Sequence, residues 1–85
     1  MRDVEFTTEE VADLLERTPF TIRQWIRAGR FEGAYLLNNS TRLGLRIPAA
    51  AVLEVAASFG PTKLSQVATV VQDARRMQKE ALAQC

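Results

Sequence analysis

The sequence predicts a mainly α-helical fold with a small β-hairpin, followed by a C-terminal amphipathic helix. Three observations lead there. Two short helical patterns, each with its own start signal, are separated by two or three residues. Two apolar runs then flank the polar stretch "NNSTR", the pattern of a hairpin. From residue 62 onward the chain lacks glycine and proline, the two residues that most often interrupt a helix. With 85 residues and 47% hydrophobic content, the chain is large enough for one domain and too apolar for a disordered segment.

The first helix starts at "FTTEE". Thr7 and Glu10 have capping-box spacing, and Phe6 and Val11 occupy the two staple positions around it. Glu9 and Glu10 fall in the first turn, where the helix dipole favours acids. Val11, Leu14 and Leu15 form the apolar stripe of a helix over residues 8–16.

The second helix begins almost at once. Thr18 is a good N-cap, Pro19 suits the first helical position, and Gly29 is a stop signal. On a wheel, Ile22, Trp25 and Ile26 share one face, and Phe20, Arg23, Gln24 and Arg27 lie opposite. Two short helices on a tight turn make a helix-turn-helix. Thr18, Phe20, Thr21, Arg23, Gln24 and Arg27 are its candidate DNA-reading residues. Arginine can read guanine, glutamine adenine, and an apolar ring the thymine methyl. An ordinary surface helix also turns arginines outward; the missing acid on this face and the tight turn before it favour a reader.

The apolar runs at residues 34–37 and 43–47 predict the hairpin, with residues 38–42 at its tip. Leu43, Leu45 and Ile47 alternate with Gly44 and Arg46, so the apolar three are expected to face the core and Arg46 solvent. A hairpin with a basic tip and edge behind a helix-turn-helix is a wing, giving a winged helix-turn-helix. Arg30, Asn39, Ser40, Thr41, Arg42 and Arg46 are its candidate phosphate or minor-groove contacts. The plain alternative is a solvated hairpin.

Pro48 is expected to start a third helix through "AAAVLEVAASF", ended by Gly60 and Pro61. That pair divides the chain into a DNA-binding unit, residues 1–60, and a helical tail, residues 61–85. The tail is expected as one helix of about 34 Å. Leu64, Val67, Val71, Ala74 and Met77 lie on its apolar side and are the candidate partner or oligomer contacts. The tail either folds back to extend the core or projects to bind a partner or a second copy. Truncation after Gly60 is expected to preserve single-site DNA binding.

The formal net charge of +1 hides a segregation. Residues 1–16 carry Asp3, Glu5, Glu9, Glu10, Asp13 and Glu16 against Arg2. Residues 17–47 carry Arg17, Arg23, Arg27, Arg30, Arg42 and Arg46 against Glu32. A basic middle suits a polyanion, and arginine suits forked contacts to phosphate and guanine. The alternative is a solvated face salt-bridged to the acidic first helix. Without histidine, with a single cysteine at Cys85, and with no glycine-rich phosphate loop, no catalysis, metal or cofactor is expected. No run of about 18 apolar residues suggests a membrane span. The acidic start is not that of a secretory signal. The lone Cys85 fits a reducing, cytoplasmic location.

Together, "FTTEEVADLL", "TPFTIRQWIRAGRF" and "LRIP" resemble the excisionase-type winged helix-turn-helix, a relative of the MerR DNA-binding domain. The matching residues are 7–15, 21–31 and 46–48, within a likeness spanning roughly residues 5–59. Two features depart from the family pattern. The turn usually carries Gly-Val-Ser where this chain has "ERTP", and the wing is longer than the compact form. The tail after Gly60 lies outside the resemblance. The resemblance implies a recombination directionality factor of a bacteriophage or mobile element, acting at the host nucleoid. Such a protein binds several double-stranded DNA sites near an attachment site, bends the duplex, and directs a tyrosine-type integrase toward excision; self-association on the DNA stays open. Two alternatives stay open: a small MerR-like transcriptional repressor dimerised through its tail, and a helical interaction module whose basic face is incidental.

Overall fold

The computed structural model describes residues 3–36 and 44–83. Its elements, in chain order, are β1 (Glu5–Phe6), α1 (Thr8–Leu15), α2 (Pro19–Arg27), β2 (Tyr35–Leu36), β3 (Leu45–Pro48), α3 (Ala49–Ser58) and α4 (Pro61–Ala83). The described fold is therefore mainly helical with a small sheet, as the sequence predicts. The expected hairpin tip at residues 38–42 lies outside the described residues, and with it Asn39, Ser40, Thr41 and Arg42.

Both α1 and α2 start as their sequences dictate. The Glu10 amide donates to Thr7 Oγ1 at 3.2 Å, and the Thr7 amide to Glu10 Oε1 at 2.8 Å, closing the capping box. Thr18 Oγ1 accepts from the Thr21 amide at 3.2 Å, with Pro19 in the first turn of α2. Replacing such a cap by alanine costs about 1 kcal/mol.

The two helices also end alike. Glu16 after α1 and Gly29 after α2 are left-handed, with φ of 56° and 82°. Past each, an arginine amide reaches back to the helix: Arg17 to the Ala12 carbonyl at 2.8 Å, and Arg30 to the Trp25 carbonyl at 3.0 Å. Glycine adopts this backbone freely, whereas a residue with a Cβ pays about 1–2 kcal/mol. Glu16 stands where the family pattern has its turn glycine. Its carboxylate accepts from Lys63 Nζ of α4 at 2.9 Å, and the same ammonium donates to the Leu14 carbonyl at 3.3 Å. The ammonium's hydrogen bond and charge hold the Glu16 carboxyl below the usual carboxylate range.

The sheet differs from the expected isolated hairpin by one strand. β3 is central and antiparallel to both neighbours, in the order β1-β3-β2. Phe6 pairs with Ile47, so the residue expected as a helix staple also enters a ladder. A two-residue strand leaves no alternation to read, which is why β1 escapes the sequence. The Tyr35 hydroxyl donates to Glu5 Oε1 at 2.7 Å, joining the two outer strands across the central one. Of the alternating residues in β3, Ile47 is fully buried while Leu45 and Arg46 are both half-buried. Pro48 ends β3 and serves as the N-cap of α3 rather than its first turn.

The core gathers one face of every helix. Val11 and Leu15 of α1, Ile22 of α2 and Val52 of α3 are buried together with Ile47. Val67 and Val71 of α4 join the same cluster at 0% and 1% exposure. Burying each such side chain contributes about 1.5–3 kcal/mol. Leu64 and Ala74 pack partly against it, and Met77 is 65% exposed. The first half of α4 thus lies on the body, and its last turns present apolar side chains to solvent.

Candidate nucleic-acid interface

The face of α2 away from the core is built by periodicity alone. Ile22 is fully buried, and Trp25 and Ile26 pack against the core, which fixes the roll of the helix. That roll points the opposite residues outward. Phe20 is 61% exposed, an unusual position for a large ring. Phe20, Arg23, Gln24 and Arg27 together line one shallow depression on the surface. The structure therefore brings these four expected residues to one place.

Thr18 and Thr21 stand at the start of the same helix, with hydroxyls already engaged. Their Oγ1 atoms lie 3.0 Å apart, and Thr18 also caps the helix. A hydroxyl can still accept or donate a second bond, so both can face a phosphate while holding the turn. Arg46 sits on the central strand, half-buried, with Nη1 donating to the Leu45 carbonyl at 3.1 Å. Of the candidates on the expected hairpin, Arg46 lies within the described residues.

Arg30 does not extend freely. Its guanidinium lies over the Trp25 ring, 4.2 Å from the centroid. Trp25 meets Phe59 edge to face at 5.8 Å, and the Arg17 guanidinium lies 5.1 Å from the Phe59 centroid. Arg17 was not among the expected contacts. Its signal is positional: it precedes the Thr18 N-cap and so lies beside the start of α2.

The electrostatics of this region are one-sided. Among the described residues, Arg17, Arg23, Arg27 and Arg30 form no ion pair. Among the described residues, none of these four arginines makes an ion pair with an acid of α1. The acid pairs run elsewhere: Glu16 to Lys63, Asp3 to Arg75 and Asp73 to Arg76. No group of acids, cysteines or histidines among the described residues could hold a metal ion. No described helix is long and apolar enough to cross a membrane.

A family model described as a helix-turn-helix domain matches residues 5–59, from β1 through α3. No curated protein and no solved structure matches the chain. A match over well more than half of the chain supports DNA binding and shows that the chain belongs to the helix-turn-helix domain family.

Proposed function

We propose that this protein is an architectural DNA-binding factor of the excisionase kind. The observation that carries the reading is the exposed face of α2, where Phe20, Arg23, Gln24 and Arg27 converge without an acid. In this reading α2 enters the major groove, and Arg23, Gln24 and Arg27 meet base edges. Arg30, Arg46 and the wing hold phosphates or the minor groove, and the duplex bends toward them. Residues 1–60 are the DNA-reading unit. Residues 61–85 brace it through Val67 and Val71, and they offer Met77 and the distal turns to a tyrosine-type integrase or a neighbouring copy on DNA.

A second reading rests on the same distal turns. Met77 and Leu82 are exposed there, an arrangement that also suits a two-fold dimer of a small repressor.

The test is to recover and sequence the DNA bound by the protein in its own cell. Direct repeats beside an integrase attachment site are the expected result. Inverted repeats over a promoter, one helical turn apart, would replace the excisionase reading with the repressor. A protein that recovers no duplex and binds none at low salt is neither.

A further inference from the structure

We infer that Arg17, Phe59, Trp25 and Arg30 form a preassembled phosphate clamp along one flank of α2, separate from its base-reading face. The inference rests on the DNA-binding reading and adds a second surface to it. The four groups make one continuous row. The guanidiniums of Arg17 and Arg30 lie over Phe59 and Trp25, and the two rings meet edge to face at an interplanar angle of 89°.

The backbone explains why the row has an arginine at each end. Arg17 and Arg30 occupy the same position in two successive helix endings, one residue past the left-handed Glu16 and Gly29. Each amide is tied back into its helix, so each side chain leaves the backbone at a fixed point. The rings then hold the guanidiniums from the side. A cation over an aromatic face is attracted by the ring quadrupole, and a side chain already ordered loses less freedom on binding. The edges of the planar guanidinium stay open for a forked contact to phosphate oxygens.

The position suits phosphates rather than bases. On the wheel of α2, Trp25 lies on the flank between the inward Ile22 and the outward Phe20 and Gln24. A helix about 10–12 Å wide fills a major groove about 12 Å wide, so its flanks face the groove walls, which are sugar and phosphate. The local charge agrees. The acid next in sequence, Glu16, gives its carboxylate to Lys63 at 2.9 Å and leaves Arg17 without an ion pair. Arg17 Nη1 spends one bond on the Glu16 carbonyl at 3.2 Å, which further fixes the group.

The experiment titrates the full chain against duplexes of a selected site and of unrelated sequence over a range of salt, with Arg17→Ala, Phe59→Leu and Arg23→Ala beside wild type. Arg17→Ala should bind every duplex roughly five- to tenfold more weakly near 0.1 M salt, with the salt slope reduced by about 1 and the melting temperature unchanged. Phe59→Leu keeps the charge and removes the platform, so it should weaken binding less and leave the salt slope as it was. Arg17→Ala that binds like wild type at every salt concentration, while Arg23→Ala binds worse, overturns the clamp alone. Loss of binding that merely follows a lowered melting temperature also overturns it, because the row would then be structural. A wild-type chain that binds no duplex at low salt overturns the DNA-binding reading and the clamp with it.

Discussion

Three of the four cations on α4 are used in the opposite way to those around α2. On α4, Lys63, Arg75 and Arg76 each hold an acid, at 2.9, 2.6 and 3.2 Å. Around α2, Arg17, Arg23, Arg27 and Arg30 hold none among the described residues, and two of them rest on aromatic rings instead. Exposed ion pairs contribute only about 0–1 kcal/mol, so α4 is not held by them chiefly. Two of them, Lys63 to Glu16 and Arg75 to Asp3, tie to the rest of the molecule a helix that Val67 and Val71 already anchor; the third lies within α4. The arginines around α2 are not tied into the fold by ion pairs among the described residues. Charge on the two helices thus divides between cations paired within the molecule and cations that are not.

The largest effect expected is on the internal side. Val67→Asp places an unpaired charge in the core and should lower stability by more than about 4 kcal/mol, seen as loss of the cooperative thermal transition. Truncation after Gly60 removes Val67 and Val71 together and should do the same, which reverses the expectation drawn from the sequence. A truncated chain that stays folded and binds DNA would break the comparison, because α4 would then be dispensable. The next effect is external. Arg23→Ala or Arg27→Ala should cost about 1–3 kcal/mol in binding a selected site and relax its sequence preference, with the melting temperature unchanged.

The smallest effect concerns Asp3 and Arg75. The Arg75 guanidinium, through a two-pronged hydrogen bond at 2.9 and 2.6 Å, holds the Asp3 carboxyl below its ordinary range. The folded state therefore takes up this proton less readily than the unfolded chain. The contribution is complete near neutral pH and fades as pH falls below about 4 through the lowered value. Both side chains are nearly half exposed, so Arg75→Met should cost at most about 1 kcal/mol. It should also flatten the acid limb of stability and leave DNA binding untouched. If it weakens DNA binding as Arg23→Ala does, the division between the two helices fails.

The sequence made the local parts of this arrangement legible. Capping chemistry at Thr7 and Thr18 placed both helix starts, and the 3.6-residue period separated Ile22 and Ile26 from Arg23 and Arg27. The parts that depend on distant pairing were not legible. β1 is two residues long and forms because β3 is beside it, and nothing near Glu5 signals that partner. The packing of α4 had two equal readings, since an apolar stripe does not say what covers it. The aromatic row needed Phe59 to meet Trp25 across 34 positions, a contact no local period encodes.

That same split has a consequence in time. The bonds that shape α1, the turn and α2 join residues within five positions of each other, whereas Lys63 and Arg75 reach partners 47 and 72 positions away. Short closures form early and long ones wait for the intervening chain to order. The pair α1 and α2 can therefore assemble while α4 is still undocked, and α4 is expected to complete the molecule last. The order runs backward on opening. Beyond Arg76, where Met77 and Leu82 meet solvent, the amides of α4 should exchange with water first, and those of the core-facing turns near Val67 only when the whole domain opens.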